Sequence, residues 1–417
     1  MNTGPHHKIA RETYALVLAG GRGARLHELT DHRAKPAVPF GGTMRIIDFA
    51  LGNCVNSGLR RIGVLTQYKA QSLIRHIERS WGFLEASLDE YVDVVPAQQQ
   101  LGEGWYSGTA NAVFQNLAIL RESNPRYVLV LGGDHVYKMD YGLMLEEHVE
   151  RGASLSVACI EVKIEDACGF GVMSVDDQGR ITAFDEKPTC PTTVPGKPDR
   201  ALASMGIYVF DFDFLIEALE RDAEDDGSRH DFGQDLIPAA LRGRCAAYAH
   251  RFETSCVNMV GGLPYWRDVG SLDAYWEANL DLTHVVPDLN LYDTSWPLPA
   301  RQVSKPPAKF VFDDNGRRGI AIDSLVAGGC IVSGAEVRRS ILFHDVRVEE
   351  GSRIEDSVVL TGAHIGRRVQ LRRAIVDTRC VLPDGMIIGF DPAADRTRFR
   401  VTERGLTLVT PDMLGSG

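Results

Sequence analysis

The sequence predicts an α/β fold in which a Rossmann-like, mostly parallel sheet is followed by a parallel β-helix of hexapeptide repeats. Up to about residue 285 of the 417, short apolar runs alternate with amphipathic stretches, as in β-α-β units on a parallel sheet. After a proline-rich segment, aliphatic residues return every five or six positions, which is typical of a parallel β-helix. A chain of this length is too long for one ordinary core, so two domains are expected.

The first domain, assigned to residues 8–285, begins with strand and helix signals in regular alternation. The apolar runs YALVLAG and RIGVLTQY precede the helix-like SLIRHIERSWGF, the run YVDVVPA, the helical pattern TANAVFQNLAILRES and the run YVLVLGGD. In sheets of this kind, binding sites lie beyond the carboxyl ends of the strands. Residues 20–25 and 132–134 both fall at such ends, so the site is expected there.

A proline-rich segment separates the two domains. Residues 286–315 include PDLNLYDTSWPLPARQVSKPPAKF, which lacks a helical pattern and is interpreted as an extended linker. Residues 316–417 are assigned to the β-helix, in which aliphatic side chains of each coil stack inward. An antiparallel β domain is the alternative, but the strict alternation it requires is missing. The recurring positions are Ile331, Val337, Leu342, Val348, Ile354, Val359, Ile365, Leu371, Val376, Val381 and Ile387.

The composition limits the possible functions. A formal net charge of −11 argues against a nucleic-acid partner, which needs a basic face. No apolar run approaches the roughly 18–20 residues that span a bilayer, and the N-terminus MNTGPHHKIARETY lacks the apolar region of a signal peptide. Eight scattered cysteines without a C-x-x-C pair predict reduced thiols. We therefore expect a cytoplasmic protein with no membrane partner.

The run LVLAGG ends in a glycine-rich turn followed by cationic residues. A Walker loop is excluded because no Gly-Lys-Ser/Thr follows, and the dinucleotide fingerprint fails because Leu26 stands at its last position. Glycines let backbone N–H groups approach phosphate oxygens, and arginine offers a planar donor fork. A solvated turn is the alternative, but a local charge of +2 favours a bound anion. That charge comes from Arg22, Arg25, Arg33 and Lys35 against Glu28 and Asp31.

Long motifs stand in a fixed order along nearly the whole chain. They are LAGGRGARLHELTDHRAKPAVPFGG, RIIDFALGNCVNSGLRRIGVLTQY, GTANAVFQN, LGGDHVYKMDY, FDEKP, LASMGIYVF, HDFGQDLIP and YWRDVGSLDAYWEANLDL. This ordered set resembles the sugar-1-phosphate nucleotidylyltransferases, and most closely the bacterial branch that transfers the adenylyl group of ATP to glucose 1-phosphate. The likeness extends through the linker and the repeats, and it implies that the β-helix is left-handed.

The resemblance implies a reaction in which ATP and glucose 1-phosphate give ADP-glucose, for glycogen synthesis, and pyrophosphate. The nucleophile would be a sugar phosphate oxygen, already ionised near neutral pH because its second pKa is about 6. No general base is then required, and neither a G-x-S-x-G elbow nor a catalytic cysteine motif is found. The reaction needs two polyanions aligned and the leaving pyrophosphate neutralised. Cationic side chains and Mg²⁺ would supply this.

Catalytic and metal-binding residues are implied by the same resemblance. Arg25 matches the position that engages the triphosphate, and Lys35 matches the active-site lysine of the Lys-Pro motif. Asp134 in LGGDH and Asp268 in YWRDVG match the carboxylates that coordinate Mg²⁺. The alternatives are a helix-capping role for Asp134 and an internal ion pair for Asp268. His135 is expected to be structural, because Mg²⁺ prefers oxygen ligands.

The remaining substrate contacts also follow from the resemblance. Glu186 is expected near the glucose hydroxyls, and Lys187 on the sugar phosphate. The nucleotide side is assigned to Gly20, Gly21, Gly23, Gln99 and Gly108. The other substrate positions are Tyr106, Gly171, Ser204, Asp231 and Trp266.

The resemblance further implies a homotetramer controlled by a metabolite that binds between the two domains. Members that respond to fructose 1,6-bisphosphate carry a lysine where this chain has His32. We therefore expect a different effector, such as fructose 6-phosphate or pyruvate, at Arg33 and Arg45.

Two other functions stay open. In the first, the protein catalyses the same reaction with UTP, dTTP or GTP and another sugar 1-phosphate. In the second, it is a catalytically silent regulatory subunit. A silent subunit is expected to lose Arg25, Lys35 or Asp134, and all three are present.

Overall fold

A nine-stranded sheet forms the centre of the N-terminal region in this computed structural model, which describes residues 5–21, 23–97, 105–259, 262–301, 304–314 and 317–415. The strands of this region are β1 (Thr13–Leu18), β2 (Pro39–Phe40), β3 (Met44–Arg45), β4 (Arg61–Thr66), β5 (Tyr91–Pro96), β6 (Tyr127–Gly132), β7 (His135–Tyr137), β8 (Leu155–Lys163), β9 (Gly171–Val175), β10 (Ile181–Glu186), β11 (Arg200–Asp211), β12 (Ala247–Arg251) and β13 (Trp266–Asp268). The helices are α1 (Pro5–Arg11), α2 (Ile47–Asn56), α3 (Gln71–Ser80), α4 (Thr109–Phe114), α5 (Leu117–Ser123), α6 (Tyr141–Glu150), α7 (Phe212–Ala223), α8 (Ile237–Arg242) and α9 (Leu272–Asp281).

The half of this sheet that carries the glycine-rich turn is parallel. The whole sheet has the strand order β10-β9-β11-β6-β1-β4-β5, and β8 pairs with β11 and with β12 beside this path. Within the parallel half, β1 runs parallel to both β4 and β6, and β4 runs parallel to β5. Because successive side chains of a strand point to opposite faces, Ala15 and Val17 enter one apolar core and Tyr14 and Leu16 enter another. Burial on both faces explains why β1 is continuously apolar in sequence.

A short antiparallel ribbon lies apart from this sheet. It consists of β7 and β13, and it places Asp268 directly opposite His135. Since Asp134 immediately precedes β7, two carboxylates that are far apart in sequence are brought to one place.

The C-terminal region is a parallel β-helix. Its strands are β14 (Lys309–Val311), β15 (Asp313–Asp314), β16 (Arg317–Arg318), β17 (Ile320–Ile322), β18 (Leu325–Val326), β19 (Ile331–Ser333), β20 (Glu336–Arg338), β21 (Ile341–Leu342), β22 (Arg347–Val348), β23 (Arg353–Glu355), β24 (Val358–Val359), β25 (His364–Ile365), β26 (Gln370–Arg372), β27 (Ala374–Val376), β28 (Val381–Leu382), β29 (Ile387–Ile388), β30 (Arg400–Val401) and β31 (Thr407–Val409), with one helix, α10 (Pro392–Arg396). The three faces are the stacks β14-β19-β22-β25-β28, β17-β20-β23-β26-β29 and β18-β21-β24-β27-β31. The predicted fold class is confirmed in both regions.

The inward positions of the β-helix differ from the prediction at both ends. Val381 and Ile387, predicted to point inward, are each 62% exposed, whereas the neighbouring Leu382 and Ile388 are buried. Ile331 is likewise only half-buried, beside the buried Val332. Where two aliphatic residues are adjacent, the pleat directs only one of them inward, and the five-to-six-residue spacing alone does not say which.

The segment between the two regions is packed against the N-terminal region. The Asn56 side-chain amide donates to the Pro297 carbonyl at 2.7 Å, and the Arg301 backbone N–H donates to the Ser80 carbonyl at 2.8 Å. The first β-helix strand, Lys309–Val311, lies within the stretch 286–315 that was predicted as linker. Residues 286–301 contain no helix or strand, yet they have fixed partners.

The N-terminal region and the β-helix also contact each other directly. Leu26, Phe40 and Tyr275 belong to the same buried apolar cluster as Phe343 and Leu408 of the β-helix. This shared cluster makes the contact between the two regions a packed interface. Within the described part of the chain, none of the helices has the length and apolar character that crossing a membrane requires.

Candidate active site

A cleft of about 510 Å³ opens at the carboxyl edge of the parallel strands. The predicted residues that line it are Gly20, Gly21, Tyr106, Gly108, Asp134, Glu186, Lys187 and Asp231. It is also lined by Gln67, Thr109, His135, Gly206, Tyr208, Phe232 and Gly233. The two strand ends singled out in the sequence therefore meet in one cavity.

The glycine-rich turn packs tightly against the segment that carries Lys35. Gly23 has a φ of +63°, a conformation that L side chains rarely adopt, and a Cβ there would lie 2.9 Å from the Lys35 Cβ. The Thr30 hydroxyl donates to the Gly23 carbonyl at 3.1 Å. A glycine at this position thus lets the turn fold directly over the lysine.

Lys35 is buried between two carboxylates. Its Nζ lies 3.1 Å from Asp134 Oδ2 and 2.7 Å from Asp268 Oδ1. Arg25 reaches the same cluster, with Nη2 3.2 Å from Asp268 Oδ2, while its own side chain remains 72% exposed. The predicted catalytic and metal-binding residues are therefore brought together. Asp268 pairs with Arg25 and Lys35 and not with its neighbour Arg267, whose guanidinium lies 3.7 Å from Asp281 instead.

The cluster determines the charge states of its members. Burial alone would raise the pKa of Asp134, but the attraction of the Lys35 ammonium, its hydrogen bond to the carboxylate and a backbone hydrogen bond act together and hold that pKa well below its usual range. The pKa of Asp268 is lowered in the same way, against burial. Burial would lower the pKa of Lys35, but the two carboxylates raise it above its usual value. At neutral pH, the site thus holds two carboxylates and one ammonium.

The two carboxylates, Asp134 and Asp268, fit a divalent cation whose other coordination positions remain open to water or substrate. Asp134 and Asp268 both direct an oxygen at one point, now contacted by the Lys35 ammonium, so this position already selects positive charge. Among the described residues, no group of three or more histidine, cysteine and carboxylate side chains is arranged to hold a metal ion. Two carboxylates leave the remaining positions for water and phosphate oxygens, as Mg²⁺ requires.

His135 lines the cleft beside the two carboxylates. Its ring lies 5.1 Å from that of Trp266, and neither His135 Nδ1 nor Trp266 Nε1 has a hydrogen-bond partner among the described residues. Burial lowers the pKa of His135, so the ring is neutral at pH 7. The sequence predicts a structural role for His135, but the structure places this residue in the cleft lining, and its position next to Asp134 is the signal that indicates this.

Glu186 and Lys187 stand at the end of β10. The Lys187 Nζ lies 2.7 Å from Glu186 Oε1, and its side chain is 60% exposed. Gly171 and Gly233 flank the glutamate so closely that a Cβ at either would come within 2.8 Å of Glu186 Oε2. Gly171 therefore acts on the cleft by leaving room for Glu186.

Asp231 holds together two segments that line the cleft. Its Oδ1 accepts from the backbone N–H groups of Gly233 and Gln234, and its Oδ2 accepts from the Thr109 hydroxyl at 2.9 Å. Gly108 passes so close to the neighbouring chain that a Cβ would lie 2.2 Å from the His230 carbonyl oxygen. The segment around Gly108 and Thr109 and the segment around Asp231, predicted to contact the nucleotide and the sugar, are thus fixed to each other.

The remaining predicted substrate positions lie at or behind the wall of the cleft. The Tyr106 hydroxyl accepts from the Asn116 amide at 2.9 Å. The Ser204 hydroxyl accepts from the Gly206 backbone N–H at 3.2 Å, and it is Gly206 that lines the cavity. Gln67 was missed, although it follows the carboxyl end of β4, where the sheet predicts contacts; it donates to the Tyr106 carbonyl. Gln99 and Arg22 lie outside the described residues.

The two predicted effector arginines lie near the β-helix. Arg33 pairs with Asp377 of the β-helix at 2.9 Å, while its Nη1 has no partner among the described residues. Arg45 donates to the Ser72 carbonyl at 3.0 Å, and its pKa is lowered to about 10, chiefly by burial and also by Arg33 and Arg75. Arg33 and Arg75 thus lie close enough to Arg45 to affect its pKa, and one guanidinium nitrogen of Arg33 has no partner among the described residues.

Comparison with known proteins agrees with this architecture. The family described as Nucleotidyl transferase matches residues 14–285, and the one described as GlmU-like, C-terminal hexapeptide matches residues 306–409. A protein of Nitrosomonas europaea named glucose-1-phosphate adenylyltransferase is 61% identical over 98% of this chain and 95% of its own length.

Other curated relatives carry the same name. The one from Nitrosospira multiformis is 60% identical over 98% of this chain and 96% of its own length, and the one from Dechloromonas aromatica is 57% identical over 98% and 93%. Nucleotidyl transferases generally act with a divalent metal ion. The chain therefore belongs to the nucleotidyl transferase family and, within it, to the glucose-1-phosphate adenylyltransferases.

Proposed function

We propose that the protein transfers the adenylyl group of ATP to α-D-glucose 1-phosphate, giving ADP-glucose for glycogen synthesis and pyrophosphate. The observation that carries this proposal is the charge cluster of Lys35, Asp134 and Asp268, which meets the cleft shared with Glu186 and Lys187. The relatives' name supports the choice of ATP and glucose 1-phosphate.

The glycine-rich turn and two cations receive the triphosphate in this proposal. Backbone N–H groups of Gly20, Gly21 and Gly23 approach the phosphates, as glycine-rich turns allow. Arg25 is exposed and is held by one ion pair, to Asp268, among the described residues, so it can turn to a phosphate at little cost. Lys35 is already positioned and neutralises charge that develops as pyrophosphate leaves.

Sugar recognition is assigned to the end of β10. Glu186 accepts hydrogen bonds from glucose hydroxyls, and Lys187 exchanges Glu186 for the sugar phosphate, a charge-assisted pairing. Gly171, Ser204, Asp231 and Trp266 shape and fix the walls around them. Gln99, Tyr106 and Gly108 are assigned to the base and ribose side.

Asp134 and Asp268 hold Mg²⁺ in this proposal. A bound Mg²⁺ would neutralise phosphate charge and align the two phosphates. The chain's own contribution is to keep both carboxylates ionised, through the Lys35 ammonium, and close together, through the pairing of β7 with β13.

Release of pyrophosphate tests the proposal. Purified protein with Mg²⁺ and glucose 1-phosphate is expected to release pyrophosphate with ATP and far more slowly with UTP, dTTP or GTP. Glu186→Gln should raise the KM for glucose 1-phosphate about tenfold to a hundredfold, because a charged hydrogen bond is lost. Glu165→Gln, at an exposed carboxylate, is the control. Turnover with another nucleotide would overturn the substrate assignment, and no turnover with any of the four would indicate a regulatory subunit.

Regulation is proposed at Arg33 and Arg45, in a cytoplasmic homotetramer. A phosphorylated or carboxylate effector, fructose 6-phosphate or pyruvate, would offset the burial and the repulsion from Arg33 and Arg75 that together lower the pKa of Arg45. Either metabolite should raise the rate at subsaturating ATP, and Arg45→Gln should remove that response. Light scattering tests the tetramer. An unchanged rate with both metabolites contradicts this assignment of the effector.

A further inference from the structure

The segment that joins the two domains reaches the strand next to the proposed metal site. Trp296 Nε1 donates to Asn53 Oδ1 at 3.0 Å, and Asn53 Nδ2 donates to the Tyr137 carbonyl at 3.2 Å. Asn53 lies in α2 and is fully buried. Its amide thus connects the linker to the last residue of β7 through two direct hydrogen bonds.

A second contact reaches the adjacent residue. Lys138 is buried, and its Nζ donates to Asp293 Oδ2 of the linker at 3.2 Å. Asp293 is itself fixed, because its Oδ1 accepts from the Ser295 backbone N–H at 2.9 Å and from the Ser295 hydroxyl at 2.7 Å. Asn258 donates to the same aspartate.

These two contacts hold one end of a very short strand. β7 is three residues long, from His135 to Tyr137, so the anchored end lies about 10 Å from Asp134 at the rise of a β-strand. β7 also pairs with β13, which carries Asp268. No flexible loop separates the linker contacts from Asp134 and Asp268. A shift of the anchored end of β7 therefore moves both carboxylates.

We propose that Asp293 and Trp296 of the linker are positioning residues, which fix the two metal-binding carboxylates through Lys138 and Asn53. The linker thereby completes the active site from outside the catalytic domain. This inference rests on the proposed function for its turnover readout, and on the carboxylate pair alone for its metal-binding readout. Its energetic basis is that a misplacement of about 1 Å can cost about a hundredfold in rate.

The test compares two linker variants with two controls from the same linker. Trp296→Phe keeps an aromatic ring but removes the donor to Asn53, and Asp293→Asn keeps the shape but removes the charge facing Lys138. Tyr292→Phe and Asp288→Asn change exposed side chains by the same kind of substitution. Free Mn²⁺ is measured by electron paramagnetic resonance without substrates, and kcat, KM and the thermal midpoint are measured on the same full-length proteins.

The expected result is weaker Mn²⁺ binding by about tenfold and a kcat lower by about tenfold to a hundredfold in both linker variants. The KM for ATP should change little, and the controls should match the wild type. Lower thermal midpoints with unchanged Mn²⁺ affinity and unchanged kcat would show a purely structural linker and overturn the inference. If Trp296→Phe fails to fold, Asp293→Asn decides.

Failure of the proposed function gives a different result. Wild-type protein would then release no pyrophosphate with ATP, while the Mn²⁺ measurement would still decide whether the linker positions the carboxylates. A wild type that binds no Mn²⁺ would overturn the inference, because the carboxylate pair would then have no metal to hold.

Discussion

Replacing Lys35 by methionine should separate the stability of the active site from its catalysis. The variant keeps an apolar side chain of similar length but leaves Asp134 and Asp268 without the ammonium that now lies 3.1 Å and 2.7 Å from them. Removing one partner of a buried ion pair costs about 3–5 kcal/mol. The Asp134 side chain is 31% exposed, so water compensates in part, and the lower value of about 3 kcal/mol applies.

Thermal unfolding in EDTA measures this loss. A catalytic domain of this size shifts its midpoint by roughly 2 °C per kcal/mol, so the variant should melt about 6 °C below the wild type. Mn²⁺ at about 100 times its dissociation constant returns about 2.7 kcal/mol, because it binds only the folded carboxylate pair. The metal should therefore restore the midpoint and bind the variant more tightly, since no ammonium competes for the oxygens. Turnover should stay lower by at least about a hundredfold.

Lys197→Met is the matched control for this experiment. Lys197 pairs with Glu161, but its side chain is 54% exposed, so its loss should cost less than about 1 kcal/mol. Mn²⁺ should raise the midpoint of this control only as much as that of the wild type, because both keep the same carboxylate pair and ammonium. The reasoning is refuted if Lys35→Met has the same thermal midpoint as the wild type in EDTA. It is also refuted if the same Mn²⁺ concentration raises the midpoints of Lys35→Met and of the wild type equally.

Three further predictions concern the same cleft. Asp134→Asn should lower kcat by about a thousandfold, because several kcal/mol of metal-mediated charge stabilisation are lost; steady-state kinetics at saturating Mg²⁺ would show this, and a loss below tenfold would exclude a metal role. Gly108→Ala places a Cβ 2.2 Å from the His230 carbonyl oxygen and should cost about 2 kcal/mol in urea unfolding, whereas Gly169→Ala, with no atom within 4 Å, should be neutral. The lowered pKa values of Asp134 and Asp268 stabilise the fold fully above about pH 4, where the unfolded carboxyls are ionised, and this stability is lost as the pH falls further. Acid unfolding in EDTA, followed by circular dichroism, should thus be steeper below pH 4 for the wild type than for Asp134→Asn, and equal slopes would contradict the assignment.

The sequence predicts Asp134 more directly than it predicts its partner. Asp134 follows a continuously apolar strand, and the carboxyl ends of such strands are where sites form. Asp268 stands in a three-residue strand whose register with β7 depends on tertiary packing, and no local pattern indicates it. Only the motif resemblance singled it out. The contacts of Lys35 with both carboxylates likewise require coordinates. Asp134 lies 99 positions after Lys35 in the sequence, and Asp268 lies 233 positions after it.

The linker shows where composition misleads. Its prolines and the absence of a periodic pattern predict a segment without helix or strand, which residues 286–301 match and residues 309–314 do not. The composition says nothing about what the segment contacts. Trp296 and Asp293 find polar partners that are buried inside the catalytic domain. Such partners are single side chains without periodicity, so no sequence window shows them.

The arginines beside the domain interface show why an effector bound there would act on the whole chain. Arg33 belongs to the catalytic domain, and its guanidinium is held by Asp377 of the β-helix, which is itself buried. An anion that binds Arg33 must share the guanidinium with Asp377 or displace Asp377 from it. Binding of the anion therefore weakens the ion pair that joins the two domains. Because coupling free energies are reciprocal, any arrangement of the interface that frees Arg33 strengthens binding of the anion. In the proposed regulation, Arg33 would thus couple the charge of the effector to the contact between the two domains.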